Sequence, residues 1–190
     1  MDPVLNPYVP GAGRRPAALV GRDDVIKTWD TMLRRAERER TDPPLVLYGL
    51  RGVGKTVLLT RLRHDADGRE WITVQIEAGT GRSLREMVGE GLYGPLSDLA
   101  RPSAGKRLLR ALKTALSFKA SYDQTGSWSF GLDLSGESGG GADSGVLETD
   151  LKKILKDVSL AAAEEGKGLA LLIDEAQDLS TEDLTTLVAV

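Results

Sequence analysis

Apolar and polar positions repeat along the chain with two periods, and the places where the period changes mark out its elements. From Asp23 onward, Val25, Ile26, Trp29, Met32, Leu33 and Ala36 recur every three or four positions, the spacing of one buried helix face. Asp23 and Asp24 stand in the first turn, where the positive end of the aligned peptide dipoles favours acid. "TDPP" (41–44) ends that helix. "LVLYG" (45–49), a short apolar run between proline and glycine, predicts a buried strand, and "KTVLLTRLRHDA" (55–66) a helix. "WITVQIEA" (71–78) has the β-branched content of a second strand. Helices are expected at 83–100, where internal glycines dilute the pattern, and at 104–120, where the amphipathic stripe is clear. "SWSFGLDLSG" (127–136) alternates and predicts an edge strand or one arm of a hairpin. "GESGGGADSG" (136–145) reads as a mobile, glycine-rich link. A long amphipathic helix follows at 146–166, then "LALLIDEAQDL" (169–179), a strand that ends in acids. "STEDLTTLVAV" opens a last helix, with Ser180 as its cap and Asp183 at its third position.

This alternation of strands and helices predicts an α/β fold with a mostly parallel sheet flanked by helices. Residues 1–18, rich in Pro, Gly and Arg, read as an extended N-terminal arm, and residues 19–190 as the domain. Composition changes the picture little: 190 residues, 41% apolar and 28% charged, suit one globular domain with a real core. A net charge of -3 makes no global case for nucleic acid. The absence of cysteine excludes disulfides, thiolate metal sites and cysteine nucleophiles, and fits a cytoplasmic protein. The single histidine, His64, excludes a histidine-rich metal site and reads as a solvated surface residue. The longest apolar run is too short to span a bilayer, and the N-terminus lacks the pattern of a signal peptide, so no membrane partner is expected.

The candidate chemistry lies in two stretches. Gly49-Leu50-Arg51-Gly52-Val53-Gly54-Lys55-Thr56 fits the phosphate-loop pattern G-x-x-x-x-G-K-[ST] at every fixed position. Such a loop turns successive N–H groups onto an anion, which glycine permits, and the following helix adds its positive end. Lys55 then reaches the β- and γ-phosphates, and the Thr56 hydroxyl is a ligand for Mg²⁺. The second stretch delivers Asp174 and Glu175 to the C-terminal edge of a strand, where open α/β sheets bind ligands. Asp174 is placed for the Mg²⁺ shell, and Glu175 to polarise an attacking water as general base.

Together with "LVGRDD" (19–24), a turn opening a helix, these motifs resemble the AAA+ and related signal-transduction ATPases. The likeness is nearest to bacterial AAA ATPase-domain proteins akin to the origin-recognition and cell-division-control initiators. It extends to "NPYVPGAGRRP" and to the link with "ADSGVLETDLKKIL". The family's Walker A positions fall on Gly49, Gly54, Lys55 and Thr56, and its Walker B acids on Asp174 and Glu175. Gly52 and Val53 lie inside the loop. By resemblance alone, Val20, Gly21 and Arg22 lie near the adenine or the phosphates. The cofactors implied are ATP or ADP with Mg²⁺, and the activity is ATP hydrolysis used as a switch on a protein or DNA partner. Self-association is common among such relatives.

The separation of Lys55 from Asp174 exceeds what a minimal AAA+ core needs. The excess is expected at about 80–146, as a helical and hairpin insertion with the link at 136–145. The chain stops one helix after its second motif, whereas family members continue with sensor, arginine-finger and lid elements. The resemblance therefore implies the N-terminal part of a longer protein, an incomplete core with an unpaired sheet edge, and a chain that binds nucleotide better than it hydrolyses it. Two rival readings stand. "DEAQD" (174–178) also resembles the second motif of superfamily 1 helicases, with Gln177 toward the γ-phosphate. The cations of the helix at 101–119, Arg101, Lys106, Arg107, Arg110, Lys113 and Lys119, form either a nucleic-acid stripe, with Trp128 and Phe130 as stacking platforms, or the solvated face of a packed helix.

Overall fold

The computed structural model describes residues 21–40, 42–79, 81–101, 104–123, 128–136 and 139–190. Val20 and the arm at 1–18 lie outside them. Residues up to Glu70 gather into one unit and Trp71–Val190 into another.

The first unit holds α1 (Asp23–Ala36) and α2 (Lys55–Asp67). Acids open α1 and Arg34 and Arg35 close it, each with the helix dipole. Leu58, Leu62 and Ala66, one turn apart, are the buried stripe of α2, and His64 is exposed as expected. The two helices are tied by polar bonds as well. The Trp29 indole Nε1–H donates to the Leu62 carbonyl at 2.8 Å, and Arg69 donates to Glu37 at 2.7 Å and to Asp30 at 2.5 Å.

The strand expected at 45–49 does not form. That stretch is extended, with Leu45 and Leu47 half-buried but Val46 71% and Tyr48 90% exposed. The alternation is the one a strand would show, but among the described residues the sheet has only two strands and neither is this one. A strand is defined by the ladder its backbone finds, and here no ladder is found.

In the second unit, β1 (Ile72–Glu77) and β2 (Leu169–Asp174) pair in parallel, from Ile72 opposite Leu169 to Glu77 opposite Asp174. Between them run α3 (Leu84–Leu99), α4 (Lys106–Ala120) and α5 (Leu147–Glu164), and α6 (Thr181–Ala189) follows β2. Ser83 and Glu86 close a reciprocal capping box at the start of α3. Ser180 caps α6 by accepting from the Asp183 amide at 3.0 Å. α3 lies on β1 so closely that a Cβ on Gly91 would stand 2.6 Å from Val74. The core is continuous: Val74, Ile76, Leu84, Leu92, Leu96, Leu112, Phe118, Leu151, Ile154 and Val158 are all buried within it. Each such side chain contributes about 2 kcal/mol by leaving water.

Two buried carboxylates stitch α4 and α5 to their surroundings. Asp157 accepts from the Thr114 hydroxyl at 2.7 Å and is paired with Lys153. Asp150, wholly buried, accepts from the Ser144 amide at 3.0 Å, the Ser144 hydroxyl at 2.7 Å and Arg85 at 2.8 Å. Burial alone would raise the Asp150 carboxyl, but the Ser144 donors and the Arg85 guanidinium outweigh it and hold it below its ordinary range.

One further expectation is corrected. Residues 128–136 form no hairpin arm or strand. Local side-chain bonds, from the Gly131 amide to Ser129 and from the Ser135 amide to Asp133, turn the backbone out of a ladder. The described part of the glycine-rich link, 139–145, lies against α4. The Gly140 amide donates to the Thr114 hydroxyl and the Ala142 amide to the Ser117 hydroxyl, both at 3.2 Å, and Ala142 is buried.

Candidate functional site

Glycine conformation builds the loop at 49–56. Gly52 and Gly54 have φ of 83° and 82°, angles that carry little strain only without a Cβ, and Gly54 is the residue from which α2 departs. The first turn of α2 contains no acid, and no side chain caps it. The N–H groups and positive dipole end of that turn are therefore left to an external anion, which is what a phosphate site requires. Val53 and Leu50 are exposed on this loop.

Lys55, the residue expected to meet the phosphates, is turned inward. Its Nζ donates to the Gly49 carbonyl at 3.2 Å and the Leu50 carbonyl at 3.1 Å. The ammonium bridges the mouth of its own loop, and engaging a phosphate requires it to exchange those carbonyls for phosphate oxygens. Arg22 also reaches this loop, its Nη2 donating to the Val53 carbonyl at 3.0 Å. Gly21, with φ of 74°, makes the turn just before it. Of the three residues that the resemblance alone puts near the adenine or the phosphates, Arg22 bonds this loop, while Val20 lies outside the described residues.

In the second unit the acids stand where the strand pattern placed them. Asp174 is the last residue of β2, and its carbonyl accepts from the Ala78 amide at 2.9 Å. Its carboxylate accepts from the Glu175 amide at 3.0 Å. Glu175 itself adopts the left-handed conformation, φ 51° and ψ 37°, and starts a 3₁₀ turn at Ala176–Asp178. Its carboxylate is clasped by the Gln177 side-chain amide. Neither the left-handed backbone nor this clasp has a signature in residue types, since glutamate is not a residue chosen for positive φ.

A glycine loop that opens a helix, and a strand that ends in acids, each occur in many phosphate-binding α/β proteins. A family model described as the AAA ATPase domain matches residues 18–190. The chain belongs to the AAA ATPase domain family. That membership carries the α/β fold of the phosphate-loop NTPases, and the helices and small parallel sheet seen here agree with it. No curated protein and no solved structure matches the chain. Among the described residues no helix of this AAA ATPase domain is long and apolar enough to cross a membrane.

The cations at 101–119 are largely engaged. Arg101 pairs with Glu165 at 2.5 Å and Arg107 with Glu164 at 3.4 Å, while Lys119 is buried and pairs with Asp123. Trp128 and Phe130 pack on the Tyr93 ring, at 4.7 and 5.6 Å between centroids.

Proposed function

We propose that this chain binds ATP and ADP with Mg²⁺, hydrolyses ATP slowly, and uses the nucleotide as a conformational switch toward a protein or DNA partner. Within its family the reading favours the kinship with initiator and signal-transduction ATPases, and a cytoplasmic location. The observation that carries it is the Gly49–Thr56 loop, whose left-handed glycines lead into an uncapped helix free of first-turn acid.

Each role rests on a residue's place in its own motif. Gly52, Val53, Gly54 and Lys55 present backbone N–H groups to the phosphates, and the Lys55 ammonium neutralises charge that builds on the transferred group. Thr56 and Asp174 are the proposed Mg²⁺ ligands, and the ion would withdraw charge from the phosphate oxygens. Among the described residues no three acidic or imidazole side chains gather as a ready-made cation site. A magnesium held by so few protein groups would take the rest of its ligands from phosphate oxygens and water. Glu175 orients the attacking water and accepts its proton once Gln177 releases the carboxylate.

Calorimetric titration of ATP, ADP and GTP, with Mg²⁺, into the chain and into Lys55→Ala tests this. Saturable binding that prefers adenine and is lost in the variant is the expected result. Failure of the unmodified chain to bind any of the three would overturn the reading for these 190 residues.

A further inference from the structure

The loop is held from behind. Arg22 Nη2 bonds the Val53 carbonyl oxygen, and that carbonyl and the Gly54 N–H are the two ends of one peptide plane. None of the described peptide bonds is cis, so C=O and N–H point in opposite directions across that plane. Anchoring the oxygen on Arg22 therefore aims the Gly54 N–H away from Arg22. An anion bound by that N–H lies on the side of the peptide opposite the guanidinium.

Arg22 is itself fixed. Its carbonyl accepts the first intrahelical bond of α1, from the Ile26 amide at 3.1 Å. α1 is in turn tied to α2 by the Trp29 bond to Leu62 and the Arg69 bonds to Asp30 and Glu37. The loop runs directly into α2, so one end of it is set by α2 and its middle by α1 through Arg22.

We propose that Arg22 is a positioning residue for the phosphate cradle: it braces the Val53–Gly54 peptide so that the loop's N–H groups converge on a diphosphate, and it does not touch the base or ribose. This rests on the phosphate-loop reading above and concerns how that site is held. It assigns Arg22 to the diphosphate half of the ligand, whatever base is attached.

The test titrates ADP and inorganic pyrophosphate, each with Mg²⁺, into the chain, Arg22→Ala and Arg22→Lys. Nitrogen-15 relaxation of the amides at 50–56 is recorded without ligand. Arg22→Ala is expected to weaken both probes by the same factor, about tenfold for a charge-assisted bond, and to raise the mobility of 50–54. Arg22→Lys, which keeps a cationic donor, recovers part of both effects. Weakened ADP binding with pyrophosphate unchanged would make Arg22 a base or ribose contact and overturn the proposal, as would unchanged relaxation in Arg22→Ala. If the unmodified chain binds neither probe, the nucleotide reading fails, and relaxation alone then decides whether Arg22 braces the loop.

Discussion

Glu175 carries its carboxylate on a backbone that an L-residue adopts at a cost of roughly 1–2 kcal/mol. Such strain persists where the surroundings impose it, and it gathers at functional positions. Here the Asp178 amide bond to the Glu175 carbonyl, at 2.8 Å, and the Asp174 carboxylate on the Glu175 amide hold it. Glu175→Gly should therefore be more stable than Glu175→Ala by about 1 kcal/mol in urea unfolding; equal stability would show that the left-handed angle is not enforced. Tyr122 makes a second test at this scale. Burial, then the nearby Glu90, Asp123 and Glu86 charges, push its phenol up to about 12. The unfolded chain releases that proton near pH 10 while the folded one keeps it, so stability should fall as pH rises through about 10 to 12. Tyr122→Phe should remove this part of the alkaline loss, measured by thermal unfolding across that range. The acids themselves were legible in "LLIDEAQD", because an apolar run of strand length must end somewhere and ends there in carboxylates. The strain on Glu175 was not, since it comes from bonds that form only in the fold.

Among the elements, the glycines of α3 show why a weak pattern still made a helix. Gly89 and Gly91 cost helix propensity, but Tyr122 lies over one and Val74 and Ile76 over the other, with no room for a Cβ. Gly91→Ala should destabilise the second unit by roughly 1–3 kcal/mol despite its better propensity, as overpacking does, and a denaturant midpoint would show it. Asp150 joins four elements at once: α5, the 139–145 segment through Ser144, and α3 and the end of α4 through Arg85, which also donates to Ser121 at 2.5 Å. Its carboxyl is held below the ordinary range, so its contribution is complete above about pH 4 and is lost as pH falls through the folded value. Asp150→Asn should be less stable at neutral pH, with the gap to the unmodified chain narrowing in acid; a gap independent of pH would refute the linkage. Periodicity foretold α3 to α6 and both strands, because an apolar stripe of the right length decides those. It misjudged 45–49 and 128–136, because an apolar run or an alternating one specifies extended backbone and not a partner. Nor could composition announce that the Gly140, Ala142 and Ser144 amides find acceptors in the hydroxyls of Thr114 and Ser117 and the Asp150 carboxylate.

At the scale of the whole molecule, the continuous core lies wholly within Trp71–Val190. That unit expressed alone should keep its helical circular dichroism and unfold cooperatively. It should not bind nucleotide, because Gly49–Thr56 is not in it. Loss of helical signal in the isolated piece would mean that the first unit is needed for its fold. The one ladder among the described residues of this unit joins Ile72 to Leu169 across on the order of a hundred residues of intervening chain, a closure that is costly in entropy until the helices between have shortened the path. The order of folding follows: α4 and α5, which pack directly on one another through their buried stripes, condense early, and β2 finds β1 late. Core truncations between α4 and α5 should slow folding, while those in β2 should chiefly speed unfolding. Asp174 and Glu175 are thus set in place near the end of the process, and a chain caught before that step would have its helices but not its acid-tipped strand.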